Sequence, residues 1–435
     1  MPKPLITIKN LKIIKSGKTL LNNVDFTIHE DERIILVGDN GSGKSSLMSI
    51  IKGNQEYDEG IIWKAPNLRI NYLEQNPPYP DKDNLTEFLS QGIEYPDLSK
   101  IKEIIDELEL SNINLKNNLS GGEVRKIYLA KSLLNDCNLL LFDEPTNHID
   151  LPTISWLEDK ILSLNKAMLI VSHDQEFLKK VGNKTFWLYQ NQLITREGPY
   201  EGFYEWSQTQ IQSLKTQSSK IKQKIKSETK WSIEGISARR KRNMGRVREL
   251  EKLTEYYNRT KIIETKSMDF LLQKTAESGS NIIELIDISY AYDSDLNNEI
   301  ISKFNLKIKK KDRIGIIGAN GSGKTTLIKI IQRIILPTKG KIKTGENINI
   351  KYFDQNKEAI DLSLSPWTTL TSDGEYVNFL DQKIHVLSYL KMFLFDEKKS
   401  LQKNLALSGG EKVRLLLAKL FLNDHNFLIL DEPTN

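Results

Sequence analysis

The feature that most restricts what this chain can fold into is a pattern stated twice. GDNGSGKSSL (38–47) returns as GANGSGKTTL (318–327), and YLEQN (72–76) as YFDQN (352–356). LSGGEVRKIYLAKSLL (119–134) returns as LSGGEKVRLLLAKLFL (407–422), and DEPTN (143–147) as DEPTN (431–435). The order is the same and the spacing nearly so. Repetition on this scale is a duplicated domain, too long in period for a solenoid. Whatever one copy does, the chain is built to do with two.

Each copy has the local pattern of a phosphate-binding α/β domain. RIILVG (33–38) and RIGIIG (313–318) are short β-branched runs suited to buried parallel strands. A glycine-rich turn and a helix-forming stretch follow each. NLLLFDE (138–144) and NFLILDE (426–432) predict further core strands that end in acids, and AMLIVSHD (167–174) a strand with a polar tip. Functional groups at strand carboxyl ends are what an open parallel sheet sets beside its ligand.

The pattern G-x-x-x-x-G-K-[ST] occurs twice. It covers Gly38, Asp39, Asn40, Gly41, Ser42, Gly43, Lys44 and Ser45, then Gly318, Ala319, Asn320, Gly321, Ser322, Gly323, Lys324 and Thr325. Glycines let the backbone curl so that successive N–H groups face phosphate oxygens, and the helix start adds its positive dipole end. Lys44 and Lys324 are placed to reach the β- and γ-phosphates, and the Ser45 and Thr325 hydroxyls to ligate Mg²⁺. Asp143 and Asp431 suit a Mg²⁺-facing acid, with Glu144 and Glu432 as general bases for water. Gln75 and Gln355 suit a metal- or water-contacting role, and His173 ends a strand within SHD.

Together these residues resemble the ATP-binding cassette superfamily, of which LSGGE is the distinctive mark. The resemblance implies two cassettes packed head to tail around two ATP molecules. One site would join Lys44, Ser45, Gln75, Asp143, Glu144 and His173 to Ser408, Gly409 and Gly410. The other would join Lys324, Thr325, Gln355, Asp431 and Glu432 to Ser120, Gly121 and Gly122. ATP would close the pair and hydrolysis reopen it.

No run of about eighteen apolar residues is present, so no membrane span is expected. A lone cysteine, Cys137, excludes a disulfide framework and the cysteine-bound clusters of some superfamily members. It lies in an apolar run, as a small buried hydrophobe would. MPKPLITIKN has no signal-peptide core, and a cytoplasmic address is expected. What remains resembles the F subfamily of tandem-cassette ATPases, to which EPTNHID (144–150) is also suited. A transporter ATPase working on a membrane partner is the alternative, and a non-catalytic remnant a further one.

The segment between the copies carries the charge. Between Lys215 and Lys266 sixteen Lys/Arg face six Asp/Glu, which exceeds the net +5 of the whole chain. Ile211, Leu214, Ile221 and Ile225 recur at helical spacing, as do Val247, Leu250, Leu253 and Tyr257, with Gly235 and Gly245 between them. Two helices folded back as a hairpin are predicted, with Arg239, Arg240, Lys241, Arg242, Arg246 and Arg248 near the tip. Arginine forks fit RNA or DNA phosphates, although a merely solvated charged pair would share the composition. The resemblance implies a ribosome with its tRNA, or branched DNA, as partner.

The expected organisation is a first cassette over 1–206, a basic helical linker over 207–280, and a second cassette over 281–435. The short interval from Gln75 to Leu119 leads us to expect the longer arm found in some members to be absent or trimmed. The resemblance implies an aromatic upstream of the phosphate loop that stacks on adenine, a part that falls to Tyr292 in the second copy. The first copy has LKIIKSGK (11–18) there, so Lys15 or an isoleucine stem would have to serve. The second copy stops at DEPTN, without the strand and histidine that follow it in the first. It is expected to be truncated after this acidic motif, with an impaired site.

Overall fold

The computed structural model describes residues 2–15, 17–111, 113, 115, 119–234, 245, 248–251, 253–254, 281–292, 299–319, 321–345, 347–354, 360–371, 374–379, 382–422 and 426–431. They form two compact units, one of residues 1–146 and 155–265, the other of 147–154 and 266–435.

In the first unit β1 (Pro4–Lys15), β2 (Lys18–His29), α1 (Lys44–Lys52) and β4 (Glu59–Lys64) surround β3 (Arg33–Gly38) in sequence. There follow β5 (Ile70–Leu73), α2 (Leu85–Ser90), α3 (Leu98–Glu107), α4 (Gly121–Leu134), β6 (Leu139–Asp143) and α5 (Leu151–Ser163), which counts with this unit from residue 155 on. The unit continues with β7 (Ala167–Val171), α6 (Gln175–Val181), β8 (Lys184–Tyr189), β9 (Gln192–Glu197) and α7 (Phe203–Glu234). β1, β2 and β4 make a small antiparallel sheet. The larger sheet runs β5-β6-β7-β3-β8-β9, parallel except for the β8–β9 pair.

Every residue of β6 and β7 is buried, as their unbroken apolar runs require of central parallel strands. Ile34, Leu36, Leu139, Leu141, Leu169, Val171 and Phe186 share one core. Asp143 pairs in register with Val171, and Gly38 with Leu188. The phosphate loop, the acidic pair and the serine–histidine tip therefore leave the sheet at one edge. Cys137, just before the start of β6 and so at the strand's other end, is buried as a free thiol. A separate helical layer packs Phe88, Leu89, Ile101, Leu108, Ile127 and Ala130 together. Its helices are capped by Asn84, Asp97 and Ser120.

The second unit repeats the small sheet with β10 (Asn281–Tyr290), β11 (Ile301–Lys309) and β12 (Lys339–Thr344), and α1 with α8 (Lys324–Ile331). Next come β13 (Ile350–Asp354), α9 (Pro366–Leu370), the β14 (Tyr376–Phe379)–β15 (Gln382–His385) hairpin, α10 (Val386–Met392), α11 (Glu397–Leu401), α12 (Gly409–Leu422) and β16 (Phe427–Asp431). The helical layer is packed around Val386, Tyr389, Leu390, Phe393 and Leu415.

One expectation fails here. RIGIIG (313–318) is not a strand. Ile314 is 47% exposed, Ile316 39% and Ile317 78%. In the first unit β3 takes its hydrogen bonds from β7 on one side and β8 on the other. Both lie after DEPTN. Among the described residues the second unit has only β13 and β16 in its parallel sheet, so the apolar run has no ladder to join. β-propensity without a neighbour makes no strand.

Of the linker, α7 bears out the first predicted helix, and Ile211, Leu214, Ile221 and Ile225 form a half-buried stripe along it. Gly245 is helical, as are 248–251 and 253–254, whereas Val247 and Tyr257 of the second predicted helix lie outside the described residues. The predicted turn, with Arg239, Arg240, Lys241, Arg242 and Arg246, lies outside the described residues. Arg248 is exposed on its helix.

Candidate functional site

The phosphate loops have the conformation that their glycines were read to allow. Gly41 and Gly43 hold φ of 77° and 100°, Gly321 and Gly323 79° and 88°. These left-handed values are strained for any residue with a Cβ. Gly43 caps α1 and Gly323 caps α8, both without a side-chain hydrogen bond, so the helix starts are not sealed by a capping oxygen. A Cβ on Gly38 would meet the Leu188 carbonyl at 2.8 Å. The Ser42 hydroxyl is buried with no hydrogen-bond partner. An uncapped helix start and an orphaned hydroxyl fit a bound anion. Among the described residues no three His, Cys, Asp or Glu side chains cluster as a metal cage. Ser45 and Asp143 are residues that could hold a Mg²⁺ ion together with phosphate oxygens.

Lys44 Nζ donates to the carbonyls of Gly38 (2.7 Å) and Asp39 (3.1 Å). Lys324 repeats this with Gly318 and Ala319, both at 2.7 Å. Both ammonium groups thus stay curled over their own loops. Burial lowers the Lys44 pKa, against the pull of Glu144 and Asp143. Ser45 and Thr325 are exposed at their helix starts, and Asp39 and Asn40 on the loop.

At the end of β6 both acids are buried, Asp143 to 2% exposure and Glu144 to 3%. Glu144 has φ of 53°, and its N–H donates to the Val171 carbonyl at 2.8 Å, which turns its side chain along β7. There His173 meets it twice. The His173 N–H donates to Oε2 at 3.0 Å, and Nε2 lies 3.3 Å from Oε1. Burial raises the Glu144 pKa, and His173 only partly offsets it. Thr146 and Ser172 bond through their hydroxyls at 2.8 Å, holding the two strand ends together. A cleft of about 250 Å³ is lined by Gly38, Asp39, Lys44, Ser172, His173 and Trp187 among others.

The two signature turns fold alike. Ser120 caps α4 in a reciprocal pair with Glu123, leaving Gly121 exposed and Gly122 buried. Ser408 pairs likewise with Glu411 at the start of α12, beside Gly409 and Gly410. Gln75 is exposed. Asp431 ends β16 opposite Asp354, as Asp143 ends β6. Asn320, Gln355 and Glu432 lie outside the described residues. The Tyr292 hydroxyl is 3.1 Å from Thr326 Oγ1, which sets the ring against the start of α8. In the first unit Ile14 is 42% exposed and Lys15 exposed.

Two residues escaped the sequence reading. The Tyr72 hydroxyl donates to Asp143 Oδ2 at 3.3 Å, and burial, then Asp143 itself, raises its pKa. Arg125 is buried to 2% exposure on α4. The signal for Arg125 was available: it stands in line with Gly122, Leu129 and Leu133 on the buried face of the helix, where a charge needs partners.

The residues 21–147 and 301–435 each match the ABC transporter domain family. The ATP-binding protein Uup of Buchnera aphidicola subsp. Schizaphis graminum is 38% identical over 99% of this chain and 74% of its own length. Uup of Escherichia coli K12 is 32% identical over the same shares. The energy-dependent translational throttle protein EttA of Mycobacterium tuberculosis is 26% identical over 100% of this chain and 84% of its own. Among the described residues no helix is long and apolar enough to cross a membrane. With both phosphate loops, both signature turns and the acidic strand ends in place, the chain belongs to the ATP-binding cassette family, in its tandem-cassette F subfamily.

Proposed function

We propose that the chain hydrolyses ATP with Mg²⁺, chiefly at the site built on Lys44, Ser45, Gln75, Asp143, Glu144 and His173, and couples this to a ribosome or structured nucleic acid in the cytoplasm. The observation that carries the reading is Glu144, buried against His173 and close enough to Lys44 for each to shift the other's ionisation. A carboxylate whose pKa is raised by burial is a better proton acceptor for a water near neutral pH. His173 holds it by backbone and ring, so its oxygens stay aimed. Lys44, once it turns from its loop carbonyls, neutralises charge on the transferring phosphoryl group. Ser45 and Asp143 would hold Mg²⁺, which would supply positive charge to offset that of the phosphates.

The SGG turns at Ser120, Gly121 and Gly122 and at Ser408, Gly409 and Gly410 are proposed to offer backbone N–H groups and a hydroxyl to ATP phosphates. Lys324, Thr325, Gln355, Asp431 and Glu432 are proposed to serve the second phosphate loop in the same roles. That second site is proposed to turn over more slowly, because the run at 313–318 that leads into its phosphate loop is exposed and forms no strand. The basic linker supports a nucleic-acid partner, and the throttle named among the relatives favours the ribosome.

Glu144→Gln keeps the shape and removes the base. Hydrolysis is expected to fall about 10²–10⁴-fold while ATP stays bound. Unchanged turnover in that variant would reject Glu144 as the base.

A further inference from the structure

Arg125 sits in the second turn of α4, beyond the signature serine, yet it faces inward. Its Nη1 donates to the carbonyls of Glu74 (2.5 Å) and Gln75 (3.2 Å). Nη2 donates to those of Asp143 (2.6 Å) and Glu144 (2.5 Å). One guanidinium therefore ties four backbone oxygens from two separate segments, the one that carries Gln75 and the one that carries the acidic pair. Burial lowers its pKa to about 10, which leaves it charged at neutral pH. A buried charge of this kind is tolerated because carbonyl dipoles surround it.

Among the described residues the second unit has no copy of this geometry. The ungapped repeat sets Val413 opposite Arg125, and Arg414 falls one residue later, about 100° further round the helix. Arg414 lies 5.9 Å from the Phe395 ring centroid and 3.9 Å from a Glu411 oxygen. A one-residue shift has thus sent the second arginine to its own helical layer.

We propose that Arg125 is a positioning residue of the first site: its fork fixes the Gln75 segment at a set distance from Asp143 and Glu144, and so fixes the water and metal geometry between them. The proposal rests on the ATPase reading of that site and deepens it. The planar fork is needed, since a lysine is a point charge that cannot span four acceptors in two directions. Groups that orient metal-facing residues from behind typically matter by about 10–100-fold in activity or metal affinity.

The test uses the full chain with Arg125→Gln and Arg125→Lys, measuring ATP turnover against Mg²⁺ concentration and, separately, affinity for a fluorescent ATP analogue. Arg125→Gln is expected to lower kcat by about 10–100-fold and raise the half-activating Mg²⁺ concentration, with nucleotide affinity and KM little changed. Arg125→Lys should fall between it and the parent, and decides alone if the glutamine variant does not fold. Turnover that drops only with the folded fraction, at an unaltered Mg²⁺ requirement, would mean a purely structural buried charge and overturn the proposal. The two readings separate cleanly: a parent chain insensitive to Glu144→Gln sinks the ATPase reading. Sensitivity to Glu144→Gln with parent-like Arg125 variants sinks only this one.

Discussion

His173 Nε2 lies 3.3 Å from Glu144 Oε1 while its own backbone N–H holds the other carboxylate oxygen at 3.0 Å. The two contacts come from one residue but respond differently to mutation. Replacing the ring leaves the N–H in place, so the side-chain contribution can be isolated.

The sign of the pH effect follows. Burial holds the Glu144 pKa above the ordinary carboxylate value of 4.5, with the His173 ring the largest opposing influence. A base works deprotonated, so kcat/KM should fall on the acid side through a limb placed above that of an ordinary carboxylate. His173→Ala should move the limb to higher pH and lower the plateau by about 10²-fold or more. A pH profile of single-turnover hydrolysis checks it. A limb that stays put would mean that Glu144 is not the titrating group.

The second prediction uses the duplication as its own control. Leu36 in β3 is 1% exposed, and Ile316, at the same place in the repeat, is 39% exposed. Leu36→Asp buries an unpaired carboxylate and should cost more than about 4 kcal/mol, enough to unfold the first unit. Ile316→Asp in the 435-residue chain should change stability by no more than about 0.5 kcal/mol. Denaturant unfolding followed by tryptophan fluorescence compares them. Equal losses would show that the run at 313–318 is packed after all.

Glu411 supplies a third. Burial pushes its pKa up, but the Lys399 ion pair and the Ser408 hydrogen bonds outweigh this and hold it down, at about 2 instead of 4.5. A carboxylate with a depressed pKa stabilises the folded state above its unfolded value and loses that contribution as pH falls through the folded one. Glu411→Gln keeps an oxygen for Ser408 but drops the charge that meets Lys399. It should cost up to about 1 kcal/mol at pH 7, and the difference should vanish between pH 4.5 and about 2. Thermal unfolding of both forms across that window measures it, and a gap independent of pH would assign the effect to packing.

Much of this was legible beforehand, because the glycines, the SGG turns and the acidic strand ends are contiguous and chemically singular. Each tells its own local story, so the phosphate loops and caps could be placed residue by residue. Strand formation at 313–318 could not be judged that way. The two runs differ little in sequence, and their fates diverge through partners that lie far along the chain. Tyr72 and Arg125 were hidden for a related reason. A tyrosine within a strand or an arginine within a helix shows its partner only once other segments are folded against it.

The linker carries the last prediction. Its surplus of positive charge is confined to the stretch between Lys215 and Lys266, and Arg248, the one described member of the predicted cluster, is exposed on a helix. Arginines that contact phosphates release counterions, so affinity for nucleic acid should fall steeply with salt. Each lost contact should reduce the slope of log K against log salt by about 0.7–0.9. Replacing Arg239, Arg240 and Arg242 by alanine should therefore flatten the slope by about two to three, with ATP turnover in the absence of nucleic acid left at the parent level. Titrations of ribosomes and of a four-way DNA junction at several salt concentrations give both slopes. The substrate whose slope changes is the one these side chains touch. If neither slope moves, the charged helices serve only to separate the cassettes.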